Sequence, residues 1–360
     1  MQEAVMVTIS LCMIVKDEEA VLGRCLDSVG NAVDEMIIVD TGSGDRTKEI
    51  AAAYTDQVYD FEWVDDFAAA RNESFSKAGM DYCMWLDADD VLEEKGREKL
   101  LEWKEHADGT ADAVIMDYAA GFDEEGRVTF RYERERLLKR DRGFQWEGRV
   151  HEAVAVSGKV ERLDLCIEHH SRKVHYGDRN LRIYEAMKEA GEPFQARDLF
   201  YYARELYYHR RYEEAVGCFL FFLERKDGFC ENQVGACRFT AYCLYALGKE
   251  EKALSFLYRG LSYRTPGGEL CCEIGKHFAD RQNWEQAAFW YEAALHAPRK
   301  TAGGFIQEEC YGYVPYVQLS VCYDRMGEQK KACECHKMAG KYKPYGREYR
   351  KNEEYFRNME

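Results

Sequence analysis

The chain has 360 residues and a formal charge of −16 at pH 7. The acid is concentrated in front: residues 1–180 carry 40 Asp/Glu against 23 Lys/Arg, whereas residues 181–360 carry 26 against 27. That length exceeds one ordinary core and implies two or three domains, and an acidic front half without a basic footprint argues against nucleic acid as a partner. The run Val7–Val15 is continuously apolar and reads as a buried strand. It is too short to span a membrane, no basic residue precedes it, and Lys16-Asp17-Glu18-Glu19 ends it, so it does not read as a signal peptide. Glu18–Val29 places Val21, Leu22, Cys25, Leu26 and Val29 at helical spacing. Glu35–Asp40 is a second strand, followed by the tight turn Thr41–Asp45, a short helix at Arg46–Tyr54 and a short strand at Gln57–Phe61. Asp66 is placed to cap a helix over Phe67–Ala78. Tyr82–Leu86 is a further apolar strand that runs into Asp87-Ala88-Asp89-Asp90, and Glu94–His106 is a helix. Strands with no polar face, alternating with helices, predict a parallel sheet covered on both sides. Ala113–Ala119, Arg127–Leu138 and Phe144–Val156 then read as strands of an antiparallel extension.

From about residue 195 the chain is helical and repetitive. Small and bulky residues recur as in tetratricopeptide repeats. The four segments are Leu199/Ala203/Leu206/Ala215/Phe219, Ala241/Leu244/Ala253/Leu257/Pro266, Gly275/Phe278/Ala287/Tyr291/Pro298 and Tyr316/Ser320/Tyr323/Ala332/Pro344. The alanines at 215, 253, 287 and 332 are spaced by 38, 34 and 45, the last leaving room for an insertion around Thr301–Gly312. Such stacks bind partners or self-associate, so a homodimer through this region is an expectation. The fold class expected is α/β, a Rossmann-like mixed sheet domain over residues 1–180, followed by an all-α tetratricopeptide-like domain over 181–360. Fourteen cysteines, several inside apolar runs and none in a C-x-x-C pair, suit a reducing compartment and a soluble cytoplasmic protein.

The chemistry centres on Asp87-Ala88-Asp89, at the carboxyl end of a buried strand, where open α/β sheets bind ligands. Residues i and i+2 of an extended chain face the same way, so Asp87 and Asp89 can address one hard cation, Mg²⁺ or Mn²⁺. Asp40 ends an equivalent strand and is suited to a ribose hydroxyl or a base N–H, whereas Asp45 reads as holding the next helix. Neither G-x-G-x-x-G nor a P-loop is present. Trp85 reads as core, and Trp146 as either core or a sugar platform. His151-Glu152 is not followed by a histidine at helix spacing, which disfavours a zinc hydrolase.

The runs SLCMIVKDEEAVLGRCLDSV, EMIIVDTGSGDRT, WVDDFAAARN and YCMWLDADD resemble the family 2 glycosyltransferase domain of GT-A fold. FQWEGRVHE followed by IEHHS resembles a bacterial branch of that family, with members that build lipopolysaccharide core and repeat-fused members that S-glycosylate peptides in the sublancin manner. The resemblance covers roughly residues 7–175. It implies that Glu18 and Asp40 contact the uridine of a UDP-sugar, that Arg71 and Asn72 lie near the base or diphosphate, and that Asp87 and Asp89 bind the metal, with His169, followed by His170, completing the coordination. Asp87 would also touch the nucleotide sugar. It further implies inversion at the anomeric carbon, with Glu152 nearest the position of the general base and His151 as alternative or orienter. The acceptor implied is a peptide, protein or glycan presented by the repeats. The alternative is a non-catalytic repeat scaffold on a degenerate transferase fold.

Overall fold

The computed structural model describes residues 6–171, 177–299 and 305–357. The chain divides into two compact units, residues 1–191 and 192–360.

In the first unit, β1 (Ile9–Val15), α1 (Leu22–Val29), β2 (Glu35–Asp40), α2 (Thr47–Ala52), β3 (Val58–Asp60), α3 (Phe67–Ser76) and β4 (Tyr82–Trp85) follow in turn. β1 lies between β2 and β4, and the pairs β1–β2, β1–β4 and β2–β3 are all parallel. The apolar runs account for this: Ile9, Leu11 and Met13 on one face of β1 and Cys12 on the other are all sequestered from water. Asp66 caps α3 by accepting from the Ala69 N–H at 2.9 Å.

After β5 (Asp90–Leu92) and α4 (Glu94–His106), the chain forms β6 (Ala113–Phe122), β7 (Val128–Lys139), the two-residue strands β8 (Trp146–Glu147) and β9 (Ala153–Val154), β10 (Val160–His169) and α5 (Arg179–Glu189). The sheet order through this unit is β3-β2-β1-β4-β7-β6-β10-β5. β7 joins β4 antiparallel, so the expected extension is part of the same mixed sheet. Two local expectations fail. Phe144–Val156 is not one strand: Gly148 (φ 94°) and His151 (φ 53°) take left-handed backbone and split it into the β8–β9 pair. The other failure is an omission: β10, ten residues long and paired with both β6 and β5, was not expected at all.

The second unit is built of the helix pairs α6 (Ala196–Tyr208)/α7 (Tyr212–Glu224), α8 (Cys230–Ala246)/α9 (Glu250–Gly260), α10 (Gly268–Ala279)/α11 (Trp284–His296) and α12 (Tyr313–Arg325)/α13 (Gln329–Tyr342), closed by α14 (Arg347–Arg357). Ala215, Ala253, Ala287 and Ala332 are fully buried, as close helix contacts require. Part of the expected insertion at Thr301–Gly312 lies outside the described residues, and its remainder ends in a single helical turn over Glu308–Tyr311. Gly275 on α10 faces Tyr291 on α11 so closely that an added Cβ would meet ring carbons at 3.0 Å. Gly275→Val is therefore expected to lower stability by about 1–3 kcal/mol, read as a shifted urea midpoint at unchanged slope.

Candidate functional site

The carboxyl ends of β2 and β4 carry the acidic residues. On β2, Asp40 is buried and its Oδ1 accepts from the N–H groups of Gly42 (3.0 Å) and Ser43 (2.8 Å). These bonds hold the turn, which Gly42 enters at φ 99°. Oδ2 of Asp40 is buried without a hydrogen-bond partner among the described residues. A buried acceptor left open is what a ribose hydroxyl or a base N–H would satisfy. Asp45 accepts from the Thr47 N–H at 2.9 Å at the start of α2 and from the Glu19 N–H at 3.1 Å. The Glu18 N–H donates to the Thr47 hydroxyl at 2.7 Å, so the 17–19 turn is tied to the 43–47 turn beside Asp40.

Beyond β4 the three aspartates take different partners. Asp87 Oδ1 accepts from Arg71 Nη2 at 2.7 Å, and Arg71 Nε donates to Glu152 Oε1 at 2.6 Å. The guanidinium of Arg71 is buried between Trp85 (4.8 Å from the ring centroid) and Trp146 (5.0 Å). Burial alone would push the Asp87 carboxyl up; the Arg71 and Arg136 charges outweigh it and hold it at about 2. The same pairing keeps Arg71 charged despite its burial. Nη1 of Arg71 has no hydrogen-bond partner among the described residues.

Asp89, Asp90 and His169 form a second cluster, with one ligand atom from each within 4.8 Å of the others. His169 ends β10 directly opposite Asp90 in the β10–β5 pair, which is why residues 79 apart in sequence meet. His169 Nδ1 lies 3.2 Å from both Asp89 Oδ1 and Asp90 Oδ1. Burial pulls this imidazole down, but the two carboxylates outweigh it and raise it to about 10. A cation bound here would displace that proton. One imidazole with carboxylates suits Mn²⁺ and admits Mg²⁺. The expected metal set was Asp87, Asp89 and His169; the observed cluster has Asp90 where Asp87 was placed, because Asp87 is turned to Arg71.

Asp90 is fully buried and every bond it makes is internal. Its Oδ2 accepts from the Asp87 N–H (3.0 Å) and Arg136 Nη1 (3.1 Å), its Oδ1 from the Tyr118 hydroxyl (2.8 Å). It does not cap α4, whose first flanking residue is Glu93. Arg136, also fully buried, lies over the rings of Trp85 (3.9 Å) and Tyr118 (4.3 Å). Asp90, Tyr118 and Arg136 were missed by sequence reasoning. The doubled aspartate after Asp87 was the one available signal, since a carboxylate following an apolar strand needs a buried cation to be tolerated.

The remaining expected residues fall as follows. Asn72 makes two bonds to the Trp146 backbone, donating Nδ2–H to its carbonyl (3.0 Å) and accepting from its N–H (2.8 Å), so its amide clamps β8 onto α3. Glu152 is brought to Arg71, and its loop is fixed by the Phe67 N–H donating to the Arg149 carbonyl (2.9 Å). His151 precedes it in strained left-handed backbone. His170 bonds Glu168 at 2.8 Å and stacks on Phe122. Trp146 and Trp85 meet edge to face at 5.0 Å, and both are core.

A family model, Glycosyl transferase family 2, matches residues 10–157. Among curated proteins, the chain is similar to the SPbeta prophage-derived glycosyltransferase SunS of Bacillus subtilis, at 24% identity over 58% of this chain and 51% of that one. It is similar to the lipopolysaccharide core biosynthesis glycosyltransferase LpsC of Rhizobium meliloti, at 26% identity over 42% and 58%. A TPR repeat-containing protein of Synechococcus elongatus is 49% identical over 25% of this chain and 22% of its own length. The chain thus spans less than two thirds of each of these relatives. Among solved structures, glucosyl-3-phosphoglycerate synthase from Mycobacterium tuberculosis, in complex with Mn²⁺ and UDP-glucose, matches at 15% identity over 53% of this chain and 81% of that one, with a TM-score of 0.34. YrrB, a TPR protein, matches at 16% identity over 48% and 81%, with a TM-score of 0.37. No helix among the described residues is long and apolar enough to cross a membrane. Residues 10–157 form a glycosyl transferase family 2 domain, and a tetratricopeptide-like helical region follows it in the same chain.

Proposed function

We propose that the protein is an inverting glycosyltransferase that uses a UDP-sugar and Mn²⁺ or Mg²⁺ to modify a peptide, protein or glycan acceptor. The observation that carries this reading is the pair of clusters at the end of β4 of a family 2 domain, Asp89/Asp90 with His169 from β10 beside Asp87–Arg71–Glu152. Asp40, with its open buried oxygen, and the adjoining Glu18 turn are assigned to the uridine end. Asp89 and His169, the two members of their cluster that reach solvent, would hold the cation, with Asp90 behind them. When bound, the cation supplies positive charge for the departing diphosphate.

In transfer, the acceptor atom attacks the anomeric carbon, the bond from that carbon to the diphosphate oxygen breaks, and the acceptor's proton passes to Glu152. Glu152 begins paired with Arg71. As it takes the proton its hold on the guanidinium weakens, and the charge of Arg71, through the open Nη1, turns to the leaving group. His151 is the alternative base or the group that orients Glu152. The repeats are assigned to acceptor presentation and to a homodimer contact, and the free cysteines favour a cytoplasmic location.

The test is UDP release from a panel of UDP-sugars with Mn²⁺, with Mg²⁺ and with EDTA. Cation-dependent release from one donor is expected; no release and no UDP binding under any condition would leave a scaffold on a silent transferase fold. In the same assay Glu152→Gln should slow turnover about 10²- to 10⁴-fold while UDP affinity stays within a factor of about three. Equal loss of binding and turnover would make Glu152 only the counter-ion of Arg71.

A further inference from the structure

Three guanidiniums surround the indole of Trp85. Arg71 and Arg134 each lie 4.8 Å from its centroid and Arg136 lies 3.9 Å away, so the first two are separated by no more than twice that 4.8 Å. Two of the three are neutralised, Arg71 by Asp87 and Glu152 and Arg136 by Asp90. Arg134 is not: among the described residues its side chain has no carboxylate partner and no hydrogen bond, and its Nε is buried without a partner.

The alternation of β7 explains why it is left over. Arg131 and Glu133 point to one face of the sheet, where they form an ion-pair ladder with Asp117 and Arg162. Tyr132 and Arg134 point to the other, where Tyr132 packs edge to face on Tyr118 and Tyr118 leans on His169. Every acid near Arg134 in sequence is thus on the opposite face. A half-buried cation next to two others of like charge is costly unless an anion arrives.

Sheet order says which anion. Asp40 ends β2, the acidic loop follows β4, and β7 lies on the far side of β4 from β2. β7 runs antiparallel to β4, with Leu137 opposite Met84, so Arg134 stands level with the carboxyl end of β4. With the nucleoside assigned to the β2 side and the diphosphate to the β4 loop, Arg134 lies beyond both along the sheet, on the side left for the acceptor. We infer that Arg134 binds an anionic group of the acceptor, a phosphate or a carboxylate close to the hydroxyl, thiol or amine that receives the sugar. This rests on the transferase reading above.

The full-length protein, loaded with UDP and Mg²⁺, is titrated calorimetrically with glycerol 3-phosphate, glycerate and glycerol. The two anions should bind and neutral glycerol should not, the stronger anion naming the group. Arg134→Gln should weaken anion binding at least about tenfold with UDP affinity unchanged, and Arg134→Lys should recover part of it. Equal binding of the anions by wild type and Arg134→Gln, or no binding by either, overturns the inference. A loss that falls on UDP instead also overturns it and gives Arg134 to the donor's diphosphate. If the wild type does not bind UDP, the transferase reading has failed, and the same titrations on unloaded protein still decide whether Arg134 is an anion receptor.

Discussion

Asp89→Ala is expected to reduce cation-dependent UDP release about 10²- to 10³-fold while leaving the fold intact. The Asp89 carboxylate reaches solvent and pairs with the His169 imidazole at 3.2 Å, which Asp90 holds at the same distance when Asp89 is removed; the Asp89 backbone carbonyl, which accepts from the His170 N–H at 2.9 Å, survives the substitution. Far-UV dichroism and the urea midpoint should therefore match wild type. Direct Mn²⁺ titration should show the affinity falling together with turnover. Turnover within about threefold of wild type would remove Asp89 from the metal assignment.

Arg136→Leu should have the largest effect on stability. Arg136 and Asp90 are both fully buried and are each other's counter-charge at 3.1 Å. Removing the guanidinium takes away the fully buried counter-charge and leaves the carboxylate with the Asp87 N–H, the Tyr118 hydroxyl and the part-exposed His169 imidazole, a change that costs about 3–5 kcal/mol. The measurement is the urea midpoint of the full chain, and a shift worth less than about 1 kcal/mol would contradict the pairing. The double variant Arg136→Leu/Asp90→Leu should regain part of the loss, because the isolated charge is then gone. It should not regain Mn²⁺ affinity, since Asp90 also holds His169 in place at 3.2 Å.

What the sequence disclosed and what it hid divide along a physical line. Strands with no polar face announced themselves: β1, β2 and β4 are buried on both sides and their composition says so. β10 did not, because Glu161, Arg162, Asp164 and Glu168 interrupt its apolar residues and only Leu165 and Ile167 are buried. The helix pairs were legible because Ala215, Ala253, Ala287 and Ala332 recur where helices touch. In the site, spacing alone brought Asp87 and Asp89 to one strand end. It could not say that Asp87 would pair with Arg71, because that depends on Arg71 arriving from α3 between two indoles. Nor could it show that Asn72 spends both ends of its amide on the backbone of Trp146. Partners separated by 46 residues, as Asp90 and Arg136 are, carry no local signature.

The pairing of β10 with β5 sets a timetable. β5 is made early in synthesis, yet its imidazole partner is 79 residues downstream, and the cluster closes only when β10 docks along residues 90–92. Contacts of such long sequence separation form late in folding. A ribosome-bound chain shorter than 169 residues therefore has its aspartates but no complete ligand set, and cannot trap a cation prematurely in a half-built sheet. Closure of the ligand set and docking of β10 become one event, and an ion captured there would lock that strand in place.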